Sequence, residues 1–307
     1  MRIIVTGGFG FIGSSFVNLV NDLLPDSEVF IVDKMTYAAN PNNIKKKTKF
    51  IKKDICDVTP KDLGEYDYIV HFAAESHVDN SIKNGRPFLE TNIMGTYNLV
   101  ECARQNKNLK KFIHISTDEV YGDMWDELVL NKSATEEHNL NPSSYYSSTK
   151  ASSDMIVLSA HRTFGLPYLL TRTCNNYGEH QNKEKFLPTI FNSIKEGNPI
   201  PVYGDGKQER EWMYVEDNVK VIYDLMMDDE IINEVYNIGT GVVFKNIDLI
   251  DEISKILEKE VNFNFVEDRL GHDKKYRLNN TKLLSYYRKK GVIYKPKNIV
   301  DWFNEVI

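Results

Sequence analysis

The glycine segment near the start of the chain limits the possible folds more than any other feature. The run Thr6-Gly-Gly-Phe-Gly-Phe-Ile-Gly13 follows an apolar stretch and precedes an amphipathic one, and its spacing is GxxGxxG at Gly7, Gly10 and Gly13. Glycine permits a tight turn and lets the backbone approach a pyrophosphate, while the free N–H groups of a following helix attract that anion. The order strand, glycine turn, helix therefore predicts a dinucleotide-binding site.

Short apolar runs alternate with helical patterns through the first half of the chain. Strands are predicted at 3–5, 29–32, 50–51, 68–72 and 112–115, and helices at 11–24, 91–105 and 146–164. Most of the strands are apolar on successive residues, which is typical of strands buried on both faces of a sheet. The pattern predicts an α/β protein with a doubly wound parallel sheet of the Rossmann type.

After about residue 173, prolines and glycines divide the chain into shorter elements, with helical patterns at 187–196, 215–227 and 247–259. We expect a dinucleotide-binding domain over residues 1–175. A smaller α/β substrate domain is expected over residues 176–307, with some of its segments packing back onto the first domain.

Overall composition excludes several classes of function. The net charge of −6 argues against nucleic acid as a partner, because that affinity comes from clustered Lys and Arg. Cys56, Cys102 and Cys174 are too few and too scattered for a disulfide framework or a zinc site. No apolar run approaches the ~20 residues of a membrane span, and the glycine turn begins too early to leave room for a signal peptide. We expect a cytoplasmic protein with no membrane partner.

Acidic residues at two strand ends bear on the choice of cofactor. Asp33 ends the second strand about 20 residues beyond Gly13, the interval expected for a carboxylate that binds a ribose 2′-hydroxyl. A carboxylate at this place would repel a 2′-phosphate, so NAD is favoured over NADP. Asp54 and Ile55 follow the third strand and are candidates to flank the adenine, although Asp54 would also suit an exposed loop.

The first candidate for catalysis is a tyrosine and lysine pair. Tyr146 and Lys150 stand four residues apart on a predicted helix, so both side chains lie on one face. A nearby cation favours phenolate and should lower the pKa of the tyrosine. The phenolate can then take the proton of an alcohol while hydride leaves for nicotinamide.

Two adjacent acids at the end of the fifth strand predict more than simple oxidation. Asp118 and Glu119 follow Thr117 at the carboxyl end of the sheet, where open parallel sheets bind their ligands. Elimination of water from a sugar needs an acid for the departing hydroxyl and a base for a carbon-bound proton. Two carboxyls in different environments can divide these roles.

Four segments carry a resemblance to a known family. They are Asp33-Lys-Met-Thr-Tyr-Ala38, His71-Phe-Ala-Ala-Glu-Ser-His-Val-Asp79, Ser116-Thr-Asp-Glu-Val-Tyr-Gly122 and Pro142-Ser-Ser-Tyr-Tyr-Ser-Ser-Thr-Lys-Ala-Ser-Ser-Asp154. They are similar to the dTDP-glucose 4,6-dehydratase family of the extended short-chain dehydrogenase/reductase superfamily. Related nucleotide-sugar epimerases and decarboxylases share the glycine turn and the Tyr/Lys pair but typically lack the Asp-Glu couple, and they remain the alternative.

The resemblance implies a lyase that converts an NDP-glucose, with thymidine or uridine left open, into its 4-keto-6-deoxy sugar plus water, a step of deoxysugar (for example rhamnose) biosynthesis. Tyr146 would deprotonate the C4 hydroxyl, which Thr117 holds. Glu119 would remove the C5 hydrogen, and Asp118 would protonate the departing C6 hydroxyl. NAD would be regenerated in each turnover and would stay tightly bound.

The resemblance also implies two sets of contacts and a dimer. The cofactor residues would be Gly7, Gly10, Phe11, Ile12, Gly13, Asp33, Lys34, Thr36, Asp54, Ile55, Phe72, Ala73, Ala74, Ser76, Thr91, Tyr146, Lys150 and Asn176. The substrate residues would be Ser76, Thr117, Asn175, Lys185, Phe186, Pro201, Tyr203, Arg210, Asn246, Arg269 and His272. The helices at 91–105 and 147–164 would form a four-helix interface in a homodimer.

Overall fold

A computed structural model describes residues 1–126, 128–129 and 132–306. The strands are β1 (Arg2–Thr6), β2 (Glu28–Asp33), β3 (Lys49–Lys52), β4 (Tyr68–His71), β5 (Lys111–Thr117), β6 (Tyr168–Thr173), β7 (Asn175–Tyr177), β8 (Ile200–Tyr203), β9 (Glu209–Tyr214), β10 (Glu234–Ile238), β11 (Val243–Lys245) and β12 (Phe263–Val266). The helices are α1 (Phe11–Leu23), α2 (Pro60–Leu63), α3 (Val78–Lys83), α4 (Arg86–Phe88), α5 (Thr96–Arg104), α6 (Tyr145–Phe164), α7 (Phe186–Glu196), α8 (Val215–Met227), α9 (Asn246–Ile256), α10 (Thr281–Lys289) and α11 (Ile299–Val306).

The central sheet has seven strands in the order β10-β6-β5-β4-β1-β2-β3. Every neighbouring pair in this sheet is parallel. Because β1 lies inside the sheet and the strand order reverses beside it, the carboxyl ends of β1, β4 and β5 border one crevice. The predicted α/β class and parallel sheet are confirmed.

Apolar clusters cover both faces of the sheet. On one face, Val17 and Val20 of α1 pack with Val219 and Ile222 of α8. On the other face, residues of α5 and α6 pack with Leu63 and the opposite sides of the strands. Two elements of the second half belong to this part of the fold. Helix α8 packs on α1, and β10 adds a strand to the central sheet beside β6. The predicted domain boundary after residue 175 falls inside β7 and remains a prediction.

The predicted helix at 91–105 differs from the structure at its start. A π-helical segment, Leu89–Gly95, joins α4 to α5 without a break. Apolar periodicity does not separate a π turn from an α turn over so few residues, so the sequence pattern could not show it.

The second half carries two small sheets. The first has the order β11-β9-β7, and the second pairs β12 with β8. A third apolar cluster lies under them and includes Leu187 of α7, Leu249 of α9 and Phe303 of α11. The segment Asn175–Tyr177 is a strand that pairs in parallel with β9.

Candidate active site

A cavity of about 680 Å³ opens at the carboxyl ends of the central strands. It is lined by most of the predicted catalytic and cofactor residues and by two of the predicted substrate residues from the second half. These lining residues are Gly7, Gly10, Phe11, Ile12, Gly13, Thr36, Phe72, Ala74, Ser76, Thr117, Asp118, Glu119, Tyr146, Lys150, Asn175, Asn176 and Lys185. The fold thus gathers side chains from both halves of the chain into one space.

The glycine turn has no room for side chains. Gly7 has φ +69°, and a Cβ placed on it would lie 2.6 Å from the backbone N of Ala73. A Cβ on Gly13 would lie 2.2 Å from the carbonyl oxygen of Gly7. The Asp33 carboxylate braces the turn, because it accepts hydrogen bonds from the N–H groups of Phe9 at 3.1 Å and Met35 at 2.8 Å. A cradle of bare backbone at the start of α1 fits a pyrophosphate.

Several predicted cofactor residues support the cavity wall instead of lining it. Lys34 Nζ donates to Thr91 Oγ1 at 2.9 Å, and it lies 3.3 Å from a carboxylate oxygen of Glu75 and 3.8 Å from one of Asp54. Ile55 is buried and packs directly against Gly95, since a Cβ built on this glycine would lie 2.4 Å from Ile55 Cδ1. These residues fix the loops that follow β2, β3 and β4.

Tyr146 and Lys150 both project from the first turns of α6. Ser144 caps this helix, and its hydroxyl accepts the N–H of Ser147 at 3.0 Å. Lys150 Nζ donates to the carbonyl of Ile115 at 2.7 Å, and burial lowers the pKa of this lysine to about 8. The predicted pair therefore lies at one wall of the cavity.

The predicted lowering of the tyrosine pKa is wrong for the protein alone. Burial, and next the charge of Glu119, raise the pKa of Tyr146 well above its usual value of 10.0. Removal of the phenol from water outweighs the nearby lysine, whose ammonium group is engaged with the Ile115 carbonyl.

Asp118 and Glu119 lie in a 3₁₀ turn, Asp118–Tyr121, directly after β5. The Thr117 hydroxyl donates to Asp118 Oδ1 at 3.1 Å and accepts the N–H of Glu119 at 3.3 Å. Burial raises the pKa of Asp118 well above 3.8, and the charges of Glu119 and Glu211 raise it further. Burial favours a protonated carboxyl, so Asp118 is suited to donate a proton.

Glu119 has a different environment. Burial raises its pKa above 4.5, but the positive charges of Arg269, Arg210 and Lys185 oppose that rise. The two adjacent carboxyls are therefore unequal, and Glu119 is the more easily ionised of the pair. Such a difference suits one carboxyl to act as an acid and the other as a base.

The three cations belong to the second half, where Lys185 lines the cavity and Arg210 and Arg269 lie behind its wall. Arg210 is buried in β9, its guanidinium donates to the carbonyl of Asp273 at 2.8 Å, and it lies 4.3 Å from the ring centre of Tyr276. Lys185 Nζ donates to the carbonyl of Ser76 at 3.0 Å. Positive charge is thus concentrated at this site although the protein as a whole is acidic.

The remaining predicted substrate residues lie in the second half, outside the cavity wall. Tyr203 donates to Asp79 Oδ2 at 3.0 Å, Arg269 lies 3.8 Å from Asp79 Oδ1, and His272 Nδ1 lies 2.6 Å from Asp268 Oδ1. Phe186 stacks on Trp212, and Pro201 lies on β8 opposite Asn264. Within the described part of the chain, four polar atoms of the predicted cofactor and substrate residues are buried without a hydrogen-bond partner: Asn175 Nδ2, Asn176 Oδ1, Asn246 Oδ1 and Arg269 Nε. Such orphaned groups fit a polar ligand.

Comparison with known proteins decides the family. A model described as "NAD dependent epimerase/dehydratase family" matches residues 3–239. The protein belongs to this family. The NAD dependence of the family agrees with the glycine cradle and with the predicted cofactor.

Relatives of this family member include two curated proteins and a crystal structure. It is 42% identical over 290 residues to the low-salt glycan biosynthesis protein Agl12 of Haloferax volcanii, with 92% of this chain and 91% of the relative covered. It is 40% identical over 313 residues to the dTDP-glucose 4,6-dehydratase of Haemophilus influenzae, with 92% and 91% covered. The structure of DesIV, a dTDP-glucose 4,6-dehydratase from Streptomyces venezuelae with NAD and TYD bound, matches with TM-score 0.88 and 37% identity, covering 100% of this chain and 98% of that chain.

Part of the cavity wall was missing from the predicted site. The unpredicted lining residues are Tyr37, Ala38, Ala39, Asn40, Asn43, Glu75, Ile115, Ser116, Thr173, Cys174, His180, Gln181, Asn182, Lys183 and Glu184. Tyr37, Ala38, Glu75 and Ser116 lie inside motifs that the sequence analysis had already singled out, so those motifs were the available signal. The segment 180–184 carries no such signal, because only the fold brings this loop to the cavity.

Two further kinds of feature are absent from the described residues. No group of three or more His, Cys, Asp or Glu side chains there could hold a metal ion. No helix of the described ranges is long and apolar enough to cross a membrane.

Proposed function

We propose that the protein is an NAD-dependent NDP-glucose 4,6-dehydratase, which converts NDP-glucose into NDP-4-keto-6-deoxyglucose and water. The observation that carries this proposal is the unequal pair of carboxyls, the buried Asp118 and the partly buried Glu119, in one cavity with Tyr146 and Lys150. The relatives named as dTDP-glucose 4,6-dehydratases, about 40% identical over most of the chain, support it. An epimerase of the same family would have no use for the acid and base pair.

The cofactor site fits NAD. Gly7, Gly10 and Gly13 would hold the pyrophosphate against the start of α1, and Asp33 stands where an adenosine ribose hydroxyl would be bound. When bound, NAD⁺ supplies a hydride acceptor and a positively charged ring that favours the phenolate of Tyr146.

The oxidation at C4 assigns two roles. Tyr146 would take the proton of the C4 hydroxyl, and Thr117 would orient that hydroxyl from the end of β5. Lys150 is held by the Ile115 carbonyl at 2.7 Å, so its ammonium stays beside the reacting groups. Because the tyrosine pKa is raised in the protein alone, the oxidation should depend on loading of the cofactor.

The elimination of water assigns the two acids. Glu119, whose charge is favoured by Arg269 and Arg210, would remove the C5 hydrogen made acidic by the 4-ketone. Burial favours the protonated form of Asp118, which would protonate the departing C6 hydroxyl. Glu119 would return its proton to C5 as C6 takes back the hydride, which would complete the 4-keto-6-deoxy product.

The deciding experiment is incubation of the purified protein with dTDP-glucose and with UDP-glucose, without added NAD. A 4-keto-6-deoxy product is expected, and a C4 epimer or a pentose product would overturn the proposal. Glu119→Gln should stop exchange of the C5 hydrogen with solvent, whereas Glu260→Gln, on an exposed part of the chain, should leave it intact. The ratio of the two kcat/KM values would identify the nucleotide.

We also propose a homodimer and a cytoplasmic location. Helices α5 and α6 pack against each other, and apolar side chains remain exposed on or beside them at Leu89, Met94, Tyr97, Met155 and Phe164. Exposed apolar side chains on two neighbouring helices favour association with a second copy. Sedimentation velocity would test the dimer, and cell fractionation would test the location.

A further inference from the structure

A buried polar network lies behind the cavity and takes no part in the chemistry proposed above. Arg172 of β6 donates from Nε to Asp154 Oδ2 at 3.0 Å and from Nη1 to the hydroxyl of Tyr121 at 2.8 Å. The Tyr121 hydroxyl in turn donates to Asn237 Oδ1 of β10 at 2.8 Å. All four side chains are buried, and none lines the cavity.

The two ends of the network are attached to the two groups of proposed catalytic residues. Tyr121 ends the 3₁₀ turn that begins with Asp118. Asp154 lies four residues after Lys150 on α6, so it is on the same face of that helix. A single guanidinium therefore connects the turn that carries the acid and base to the helix that carries Tyr146.

Apolar packing and backbone hydrogen bonds also hold the turn, because Val120 and Tyr121 are buried in the first apolar cluster. Val120 accepts the N–H of Asn141 at 3.0 Å, and the N–H of Gly122 closes the turn on Glu119 at 3.2 Å. The guanidinium also lies 4.8 Å from the ring centre of Tyr121, so it holds this side chain by its face and by its hydroxyl. The planar fork of arginine suits such a two-sided contact, which lysine cannot reproduce.

Stability alone is a weak reason for this arrangement. A buried ion pair must overcome the loss of hydration of both charges, and apolar residues of similar size often stabilise as well. His114 Nε2 lies 3.4 Å from Asp154 Oδ1, but burial lowers the pKa of His114 to about 4, so this histidine is neutral. Arg172 is therefore the cation that balances Asp154.

We infer that Tyr121 and Arg172 are positioning residues that fix the positions of Asp118 and Glu119 relative to Tyr146. This positioning keeps the elimination of water from becoming slow relative to oxidation at C4. This inference rests on the proposed function. It concerns the relative placement of two sets of groups, and a shift of about 1 Å between reacting groups can cost on the order of 100-fold in rate.

Tyr121→Phe tests the inference, because it keeps the ring and removes only the hydroxyl that joins Arg172 to Asn237. We expect kcat to fall about 10-fold with KM and bound NAD unchanged, and the steady-state fraction of enzyme-bound NADH to rise, because elimination slows more than oxidation. Arg172→Lys should shift the NADH fraction in the same direction. Tyr287→Phe is the matched control, since it removes a buried hydroxyl that donates to Asp224 Oδ2 at 3.0 Å, between α10 and α8.

Amide hydrogen exchange over residues 119–122 gives a readout that does not depend on turnover. It should speed up several-fold in Tyr121→Phe and stay unchanged in Tyr287→Phe. Wild-type kcat and NADH fraction in Tyr121→Phe would overturn the inference, as would a fall in kcat with no change in the NADH fraction. If the wild-type protein makes no 4-keto product, the proposed function fails, and the exchange rates alone then support or overturn the positioning role.

Discussion

Replacing Asp118 by asparagine should lower activity and raise stability at neutral pH. Burial beside Glu119 and Glu211 raises the pKa of Asp118 well above 3.8, so the folded protein keeps a proton that the unfolded chain releases. The stabilising contribution of this group is thus full below pH 3.8 and is lost as the pH rises toward its folded-state pKa. Over that range the free energy of unfolding falls by about 1.4 kcal/mol per pH unit.

Asparagine does not titrate, so the difference in unfolding free energy between Asp118→Asn and wild type should grow with the same slope. Between pH 4 and pH 6 the gain is at most about 2.7 kcal/mol. The other titrating groups are common to both proteins, so most of their contribution cancels in the difference. Urea unfolding at several pH values in matched buffers would measure it.

Activity should change in the opposite direction. Loss of a general acid costs about 10²–10⁴-fold in kcat. Oxidation at C4 should persist, so NADH should accumulate and be visible by its near-ultraviolet absorbance. Full turnover by the variant would refute the assignment of Asp118 as the acid.

Asp62→Asn is a control of opposite sign. Hydrogen bonds from Lys53 and Thr59 lower the pKa of Asp62 to about 2, so its stabilising contribution is present above pH 3.8 and is lost as the pH falls toward 2. The Asp62 variant should therefore be less stable than wild type at neutral pH and should approach it in acid. A stability difference for Asp118→Asn that does not vary with pH would refute the argument from burial.

Three further predictions concern the cofactor, the lysine and the dimer. Gly13→Ala should weaken NAD binding by at least about 10-fold, because its methyl would lie 2.2 Å from the Gly7 carbonyl oxygen, whereas Gly197→Ala, with nothing within 4 Å, should retain NAD in the purified protein. Lys150→Met should lose activity. Below pH 8 this variant should nevertheless be more stable than wild type in thermal unfolding, because burial lowers the pKa of Lys150 from 10.5 to about 8. The gain in stability should vanish as the pH rises past 10.5. The double change Tyr97→Glu and Met155→Glu should yield monomers in sedimentation velocity, because both side chains are exposed and apolar in the single chain.

Most of the cofactor site could be predicted from the sequence because its determinants are local. The strand, the glycine turn and the helix that follow Met1 are adjacent in the chain, and Asp33 ends the neighbouring strand, so spacing alone brings these groups together. Tyr146 and Lys150 share a helix face for the same reason. The parallel arrangement of the strands followed from their unbroken apolar runs, which only a sheet covered on both faces can bury.

Contacts between distant segments could not be predicted in this way. Asp79 meets Tyr203 and Arg269 only because the second half folds over the loop after β4. The network of Arg172 and Tyr121 likewise joins segments with no fixed spacing. No motif or period relates such residues, so their meeting depends on the packing of whole layers.

The sequence by itself determined the class of fold and the glycine cradle, and it named the proposed reacting groups. Only the tertiary structure decided their protonation, because desolvation sums over every neighbour that excludes water. The tyrosine pKa, expected to be lowered by Lys150, is raised by burial, while cations from the second half make Glu119 easier to ionise than Asp118. The order of residues thus names the proposed acid and bases, and the surrounding packing shifts the pKa of each of them.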